Sequence, residues 1–408
     1  MKVYIGIDWS EKKHNVCWLN AAGAVIREGI IPHSPEGFLQ LVKICQQLEV
    51  GAGEAVIGLE TAHNLLIDYL LESQLGTIYV LPPNLVKSNQ GRFAQSGAKD
   101  DRRDAQLIAE ILRTDPGRLH AWQPDHLLTR QIRARVQMLY LLSSTIRQYT
   151  SYLRSVLLRY YPAALEVFSS LDQPVTLAFL QCFPTPSASR SLSFEQFTHF
   201  LQEHHHTKRQ AWPLAFQRLQ IDYPIVNQAT LDLYATQTLV LVDTLRHLLE
   251  QKRANRLALL HDFKQHPDAP LYQSLPGAGD LLAPALLAKL GDDRGHFPSP
   301  AVLQAVAGTC PVTKRSGRAK SVHFRRACDH AFRHIVQQWA VAALKHNPVA
   351  QAYFYQVRPH CRSDNAAYRR LANRLLAVLW RLWQDHKLYD AAFHLRQRAL
   401  RAKPAKPS

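Results

Sequence analysis

Ile132, Leu139, Ile146, Leu153 and Tyr160 recur every seven residues, and Leu128, Leu142, Tyr149 and Val156 fill the companion positions. A stripe sustained over that length requires a long helix with another helix lying along it. Arg135 interrupts the companion stripe near its start. A second, less regular pattern runs over 225–260, with Leu231, Leu241, Leu245 and Leu248 on one face. Residues 162–224 lie between the two and hold Pro184, Pro186 and a Ser-rich stretch, which predicts short helices and loops. The expected middle region, 119–268, is an antiparallel pair of long helices with an elaborate tip. Periodicity does not say whether the stripe pairs within the chain or between subunits. It does split the 408 residues into a segment before it (1–118), a segment after it (269–395) and a basic, Pro-containing tail (396–408).

The first segment reads as an α/β domain. Residues 2–8 form an apolar, β-branched run that ends on Asp8, and two more short runs follow at 14–19 and 24–31. The turn residues between them, Asn20-Ala-Ala-Gly23, predict an antiparallel meander. Ser34-Pro-Glu-Gly37 opens a helical pattern through Leu48, with Ser34 placed to cap it and Pro35 in its first turn. A strand over 56–60 ends on Glu60, a helix is expected over 63–74, and a strand over 77–81 stops at Pro82-Pro83. A basic loop then leads into a helix from about Lys99 to Arg113.

Charge points to the class of partner. Lys and Arg total 49 against 32 acids, a formal net charge of +17, and such a field attracts polyanions, nucleic acid above all. A membrane role is not expected. No apolar run reaches the length of a span, and Met1–Ser10 lacks a basic segment followed by a long apolar one. None of the six cysteines forms a Cys-x-x-Cys pair, so neither a zinc site nor a disulfide framework is indicated, and a reducing cytoplasm fits.

Four acids stand where chemistry needs them. Asp8 and Glu60 end apolar strands, and a buried acid there needs a partner or a metal. Asp101 and Asp104, in Ala-Lys-Asp-Asp-Arg-Arg-Asp-Ala, share one face of an opening helix. Asp100 is a rival to Asp101, since i and i+4 share a face as well. Convergent carboxylates suit hard divalent cations such as Mg²⁺, and two such ions can clamp the attacking and leaving oxygens of a phosphodiester. An acid after the first strand of a meander also opens sugar kinases and actin-like ATPases. Those need glycine-rich phosphate loops, whereas the first turn here is Trp9-Ser10-Glu11-Lys12.

The last segment is predicted mostly helical, with two further motifs. Leu275-Pro-Gly-Ala-Gly-Asp280 resembles the hairpin of a helix–hairpin–helix element, in which Gly277 and Gly279 let the backbone approach a phosphate. A plain interhelical turn reads equally well. Ala307-Gly-Thr-Cys-Pro-Val-Thr-Lys-Arg-Ser-Gly317 opens a segment with six basic residues and no acid between Lys314 and Arg326. Lys314, Arg315, Arg318, Lys320, Arg325 and Arg326 mark it as phosphate-binding, with Gly317 giving the turn. Ser316, among these cations, fits either a nucleophile or a phosphate contact. His204-His-His206 reads as a solvated helix end, since three adjacent histidines cannot all face one ion.

Together these residues resemble a known family. Tyr4-Ile-Gly-Ile-Asp8, Glu60, Lys99-Asp-Asp-Arg-Arg-Asp-Ala105, Leu275-Pro-Gly-Ala-Gly279 and Gly308-Thr-Cys-Pro-Val-Thr-Lys-Arg-Ser-Gly317 are similar to the DEDD transposases of bacterial insertion sequences. The resemblance implies a RuvC-like, ribonuclease H-like first domain whose four acids are Asp8, Glu60, Asp101 and Asp104. It also implies a C-terminal transposase domain that supplies Ser316 as nucleophile. Lys99, Arg102 and Arg103 around the acids would then meet nucleic acid. It further implies DNA ends and target as substrates, a structured non-coding bridge RNA as guide, and dimers assembling to a tetramer. Two Mg²⁺ ions would serve each composite site, where the serine of one subunit meets the acids of another. The setting implied is the cytoplasm of a bacterial or archaeal cell, close to the nucleoid. Two departures stand out: the family often has Lys-Thr-Asp where this chain has Lys99-Asp-Asp101, and a glycine where it has Cys328. Two other readings stay open, a metal-only nuclease or junction resolvase and a non-enzymatic nucleic-acid-binding protein.

Overall fold

The computed structural model describes residues 2–51, 53–61, 65–92, 101–224, 227–317, 319–393 and 395–396. Lys99, Asp100, Arg318, the side chain of Lys320 and the tail beyond Arg396 therefore lie outside the described residues. The chain divides into two units, Met1–Asp125 with Asp293–Pro298, and His126–Asp292 with Ser299–Ser408.

The first unit is built on a five-stranded sheet: β1 (Val3–Asp8), β2 (Lys13–Leu19), β3 (Val25–Pro32), β4 (Ala55–Leu59) and β5 (Gly76–Val80). Its order is β3-β2-β1-β4-β5. The first three strands form the expected antiparallel meander, while β4 runs parallel to β1, and β5 parallel to β4. Between β3 and β4 lies α1 (Pro35–Gln47), whose Ser34 cap accepts from the Gly37 N–H; α2 (Leu65–Ser73) precedes β5. After β5 the Pro82-Pro83 pair does more than stop a strand. Pro83 opens α3 (Pro83–Asn89), since proline lacks only an N–H that the first helical turn leaves unpaired anyway. Next comes α4 (Asp101–Thr114). Because side chains alternate across a strand, β1 feeds two cores. Val3, Ile5 and Ile7 pack with Phe38, Leu41 and Leu66, while Tyr4 joins Ile108, Ile111 and Leu112 of α4.

The second unit begins with α5 (Leu127–Tyr160), 34 residues long. All five residues of its seven-residue stripe are buried. A run of short helices follows: α6 (Ala163–Val167), α7 (Pro174–Cys182), α8 (Pro186–Arg190), α9 (Phe194–Glu203) and α10 (Trp212–Leu219). They bury a core of their own around Phe179, Phe197 and Trp212, joined to the ends of the long helices through Leu157 and Val242. The chain returns along α11 (Gln228–Gln265). Arg135 ion-pairs with Asp262 and its carbonyl accepts from Asn255, whereas the Tyr160 hydroxyl donates to Thr238. Low numbers thus meet high numbers at one end and converge at the other, which makes the pair antiparallel and intrachain. Arg135, the break in the stripe, is the residue that exchanges packing for that ion pair.

The remainder is α12 (Ala269–Ser274), α13 (Gly279–Leu290), α14 (Pro300–Val306), α15 (His330–His346), α16 (Pro348–Val357) and α17 (Asp364–Gln384). Between α14 and α15 stands a feature that helical periodicity does not predict. Strands β6 (Val312–Ser316) and β7 (Ala319–His323) form an antiparallel hairpin. The mostly helical expectation for 269–395 therefore needs this exception. Among the described residues no helix is long and apolar enough to cross a membrane.

Candidate metal centre and nucleic-acid interface

The acids of the first unit owe their meeting to two glycines. The register pairs Gly6 of β1 with Gly58 of β4, so both lie on the face that carries α4. A Cβ on Gly6 would fall 2.0 Å from the Ala105 carbonyl oxygen and 2.5 Å from the Ala109 nitrogen. One on Gly58 would fall 2.7 Å from Leu112 and 2.9 Å from Ile108. The helix backbone therefore rests directly on the sheet, and its first turn comes to the end of β1. There Asp8, Asp101 and Asp104 each offer an oxygen, all within 4.8 Å of one another. Asp8 and Asp104 are half-buried and Asp101 is exposed. Gln90, just past α3, donates to Asp104 at 3.3 Å.

Glu60 is not one of that close group. It sits one residue past β4, and because Ile7 pairs with Leu59, it leaves the sheet beside Asp8 on the neighbouring strand end. Three carboxylates so close repel one another, and a hard cation offsets that repulsion with oxygen ligands of the kind present. The donor set thus fits a divalent ion of the magnesium type and not a thiol- or imidazole-seeking metal. Arg102 is exposed but already ion-paired with Glu28 of β3, and Arg103 beside it is exposed.

A histidine pair, buried His14 with half-buried His33, braces the turn that follows Asp8. His14 has no solvent exposure; its Nδ1 accepts from the Ser10 N–H at 3.4 Å, and its Nε2 lies 3.0 Å from His33 Nδ1. Trp9 and Phe38 cover the pair. Burial first, and the neighbouring His33 second, push the His14 pKa down to about 4. His14 is therefore neutral at physiological pH and suited to accept from Ser10.

In the second unit, Ser316 closes β6 and pairs in register with Ala319. Only residues 317 and 318 separate them, and Gly317 takes φ +55°, which a tight two-residue hairpin demands. Thr313 through Gly317 are exposed, and Ser316 Oγ has no hydrogen bond among the described residues. Lys314 and Ser316 fall on one face of the strand, as residues two apart must. Arg315 stands opposite Lys320 in the register.

Arg333 of α15 holds the base of this hairpin. Its guanidinium donates to the Arg325 and Arg326 carbonyls, reaches Cys328 Sγ at 2.6 Å, and lies 4.5 Å over the Phe324 ring, with Arg369 at the same distance. Cys328 is thus tied in by Arg333. Arg325 also turns inward and donates to the Cys310 carbonyl at 3.3 Å, while Arg326 is exposed.

Leu275-Pro-Gly-Ala-Gly-Asp280 forms a tight turn between two helices, with Gly277 at φ +72° and Gly279 at φ +52°, a geometry that a helix–hairpin–helix element and a plain interhelical turn share. The two glycines differ in use. A Cβ on Gly277 would meet the Ala342–Ala343 backbone of α15 at 2.5 Å, so that glycine serves packing, whereas Gly279 is exposed with open space around it. The histidine run does not gather. His204 ends α9 against Phe200, and His206 accepts from the Trp212 indole at 2.9 Å.

Sequence reasoning missed Gly6, Gly58 and Arg333. The signal for the glycines is the repeated Ile-Gly-(Ile/Leu)-acid pattern, in Ile5-Gly-Ile-Asp8 and Ile57-Gly-Leu-Glu60. No pattern marks Arg333, whose partners lie just past a hairpin that periodicity does not predict.

Comparison with known proteins bears on both units. Residues 5–162 match a family model described as a transposase, and residues 269–355 match one described as a transposase of the IS116/IS110/IS902 family. The chain is 29% identical to the "Mini-circle putative transposase for IS117" of Streptomyces coelicolor, over 96% of each chain. It is 23% identical to the "Insertion element IS110 uncharacterized 43.6 kDa protein" of the same species, over 95% of this chain and 96% of that one. Identity to the "Insertion element IS900 uncharacterized 42 kDa protein" of Mycobacterium paratuberculosis is 26%, over 96% of this chain and 98% of that one.

Proposed function

Because the chain belongs to the IS110 family of insertion-element transposases, we propose that it cuts and rejoins DNA strands with two groups, the acids around Asp8 and the serine at 316. The observation that carries this reading is the group of Asp8, Asp101 and Asp104, delivered within 4.8 Å by one strand end and one helix start. The strand order, with β4 and β5 parallel to a three-stranded meander, supports a ribonuclease H-like assignment for the first unit. Asp8, Asp101 and Asp104, joined by Glu60, would hold Mg²⁺, in one or two ions, whose chemistry is to raise the nucleophilicity of a bound oxygen and offset charge on a phosphodiester.

Ser316 Oγ attacks the scissile phosphorus and the bond to one deoxyribose oxygen breaks, which leaves a free hydroxyl and a phosphoserine diester. The partner strand's hydroxyl then attacks that diester, releases the serine and restores a phosphodiester. One P–O bond is made for each one broken, so no external energy source is needed. Lys314 and Arg326, both exposed cations, would meet the phosphate and its neighbours. The serine of one copy acting with the acids of another, in dimers assembled to a tetramer under a structured guide RNA, completes the reading, and it rests on family resemblance.

One observation favours a second reading, a metal-only DNA nuclease or junction resolvase. Ser316 is exposed and has no base to take its proton among the described residues, which suits a phosphate contact as well as a nucleophile. A strand-exchange assay with Mg²⁺, the element ends and the flanking RNA separates the two. Ser316→Ala should lose at least about a thousandfold in recombination and form no protein–DNA adduct. Recombination that survives Ser316→Ala but not Asp8→Ala would hand the reaction to the acids alone.

A further inference from the structure

A cavity of about 990 Å³ opens within the second unit, lined by parts of α5, α11, α13, α15 and α17. Four cations line it, Arg147, Lys252, Arg256 and Lys345, against a single acid, Asp280. None of the four has an ion-pair partner among the described residues, whereas Arg135 and Lys289 of the same unit are paired with Asp262 and Asp329. Uncompensated cations around a concave surface repel one another and raise the local concentration of anions. Exposed Gly279, at the N-terminus of the twelve-residue α13, lines the same cavity and adds backbone N–H groups on the positive end of a helix.

Charge alone would suit any polyanion, but the rest of the lining narrows the choice. Tyr140 and Tyr368 contribute rings, and both are half-buried; Tyr140 meets His334 edge-on, and Tyr368 already stacks on Phe354. Gln337 and Gln338 supply amides, which both donate and accept, as the edge of an unpaired base requires. Cations that follow a backbone, aromatic rings for stacking and amides for base edges are the components of a single-strand site. A duplex hides its base faces and has no use for the rings.

We infer that this cavity holds an unpaired nucleotide of a single strand, its phosphate toward the cations and its base toward Tyr140. The inference rests on the nucleic-acid reading above but concerns a different place in the chain from the acids and the serine. DNA and RNA share the chemistry required, so both belong in the test.

Binding of the full chain to short labelled oligothymidine, oligouridine and a blunt duplex is measured by fluorescence anisotropy in EDTA, where catalysis does not enter. Tyr140→Ala should weaken the preferred single strand about tenfold and leave the duplex unchanged. Tyr140→Phe, which keeps the ring, should bind as wild type does. Lys252→Ala with Arg256→Ala, both lining the cavity from α11, should lower the slope of log affinity against log salt by about 1.4 on the single strand. The tighter of the two oligonucleotides identifies the source. Equal losses on single strand and duplex would overturn the inference, and so would an unchanged single-strand affinity in Tyr140→Ala. If both tyrosine variants fail alike, the salt slope of the double variant decides. Should these binding predictions fail while the wild-type chain still carries out strand exchange, the cavity site falls and the proposed reaction stands.

Discussion

The acids and the serine hairpin are built on opposite principles. Asp8 and Asp104 stand on a strand and a helix pressed together with no side chain between them, and their neighbours are buried. Ser316 stands at the tip of two exposed strands held mainly at the base, by Arg333. The contrast teaches where each site's order originates. Three carboxylates brought together must be held against their own repulsion, so they need a rigid seat formed in advance. An exposed basic hairpin would gain its order from the polyanion we propose it binds. In the proposed reaction the first site is preorganised by the fold, and the second is left for the polyanion to settle.

Substitution of the two kinds of glycine tests that contrast most severely. Gly6→Ala should destabilise the first unit by about 3 kcal/mol, because the new Cβ meets the backbone of α4, which cannot give way as a side chain would. Gly317→Ala should cost only about 1 kcal/mol, since that site has open space and only its positive φ is strained. Urea denaturation of both variants gives the comparison. Equal costs would mean that α4 can shift off its seat.

Next in size is an effect of pH on the braced turn. The His14 pKa is lower in the fold, at about 4, than in the unfolded chain, near 6.5. The unfolded state therefore binds the extra proton between these values. The stability that neutral His14 brings is intact above about pH 6.5 and is lost as pH falls toward 4, at up to about 1.4 kcal/mol per pH unit. His14→Phe should flatten that part of the stability–pH curve. An unchanged slope would assign the acid loss to other groups.

The smallest expected effect is on the hairpin itself. Ser316→Ala should change stability by no more than about 0.5 kcal/mol, as an exposed residue without a partner should. Arg333→Ala should speed proteolysis and amide exchange in 312–323 while leaving the melting of the first unit in place. Protection that survives the loss of Arg333 would show that the hairpin is rigid by itself, and the contrast with the acids would fall.

How much of this was legible in the sequence follows the same division. The meander, the strand-end acids and both long helices announce themselves through alternation and period, because each has one face buried and one in water. The seat under α4 does not. Gly6 and Gly58 acquire meaning only once the register sets them side by side, and register is a long-range fact. The hairpin escapes for the reverse reason: Thr313-Lys-Arg-Ser316 is exposed on both faces, so no alternation is written into it. The stripe on α5 shows that a partner helix exists, but its identity depends on Arg135 finding Asp262 and Asn255 far along the chain. As for the family assignment, it drew on short motifs at both ends, and the matching regions, 5–162 and 269–355, lie in the same places.

The bare contact beneath α4 has a consequence for ion size. No rotatable bond lies between the Gly6 backbone and the Ala105 carbonyl, so the sheet and helix have no slack with which to widen or narrow the gap between Asp8 and Asp104. Magnesium asks for oxygens at about 2.0–2.1 Å and calcium for about 2.3–2.6 Å with more of them. A pocket that cannot breathe must meet that difference by turning carboxylate side chains alone. Selectivity between two ions of equal charge would then be written into a pair of residues that have no side chain.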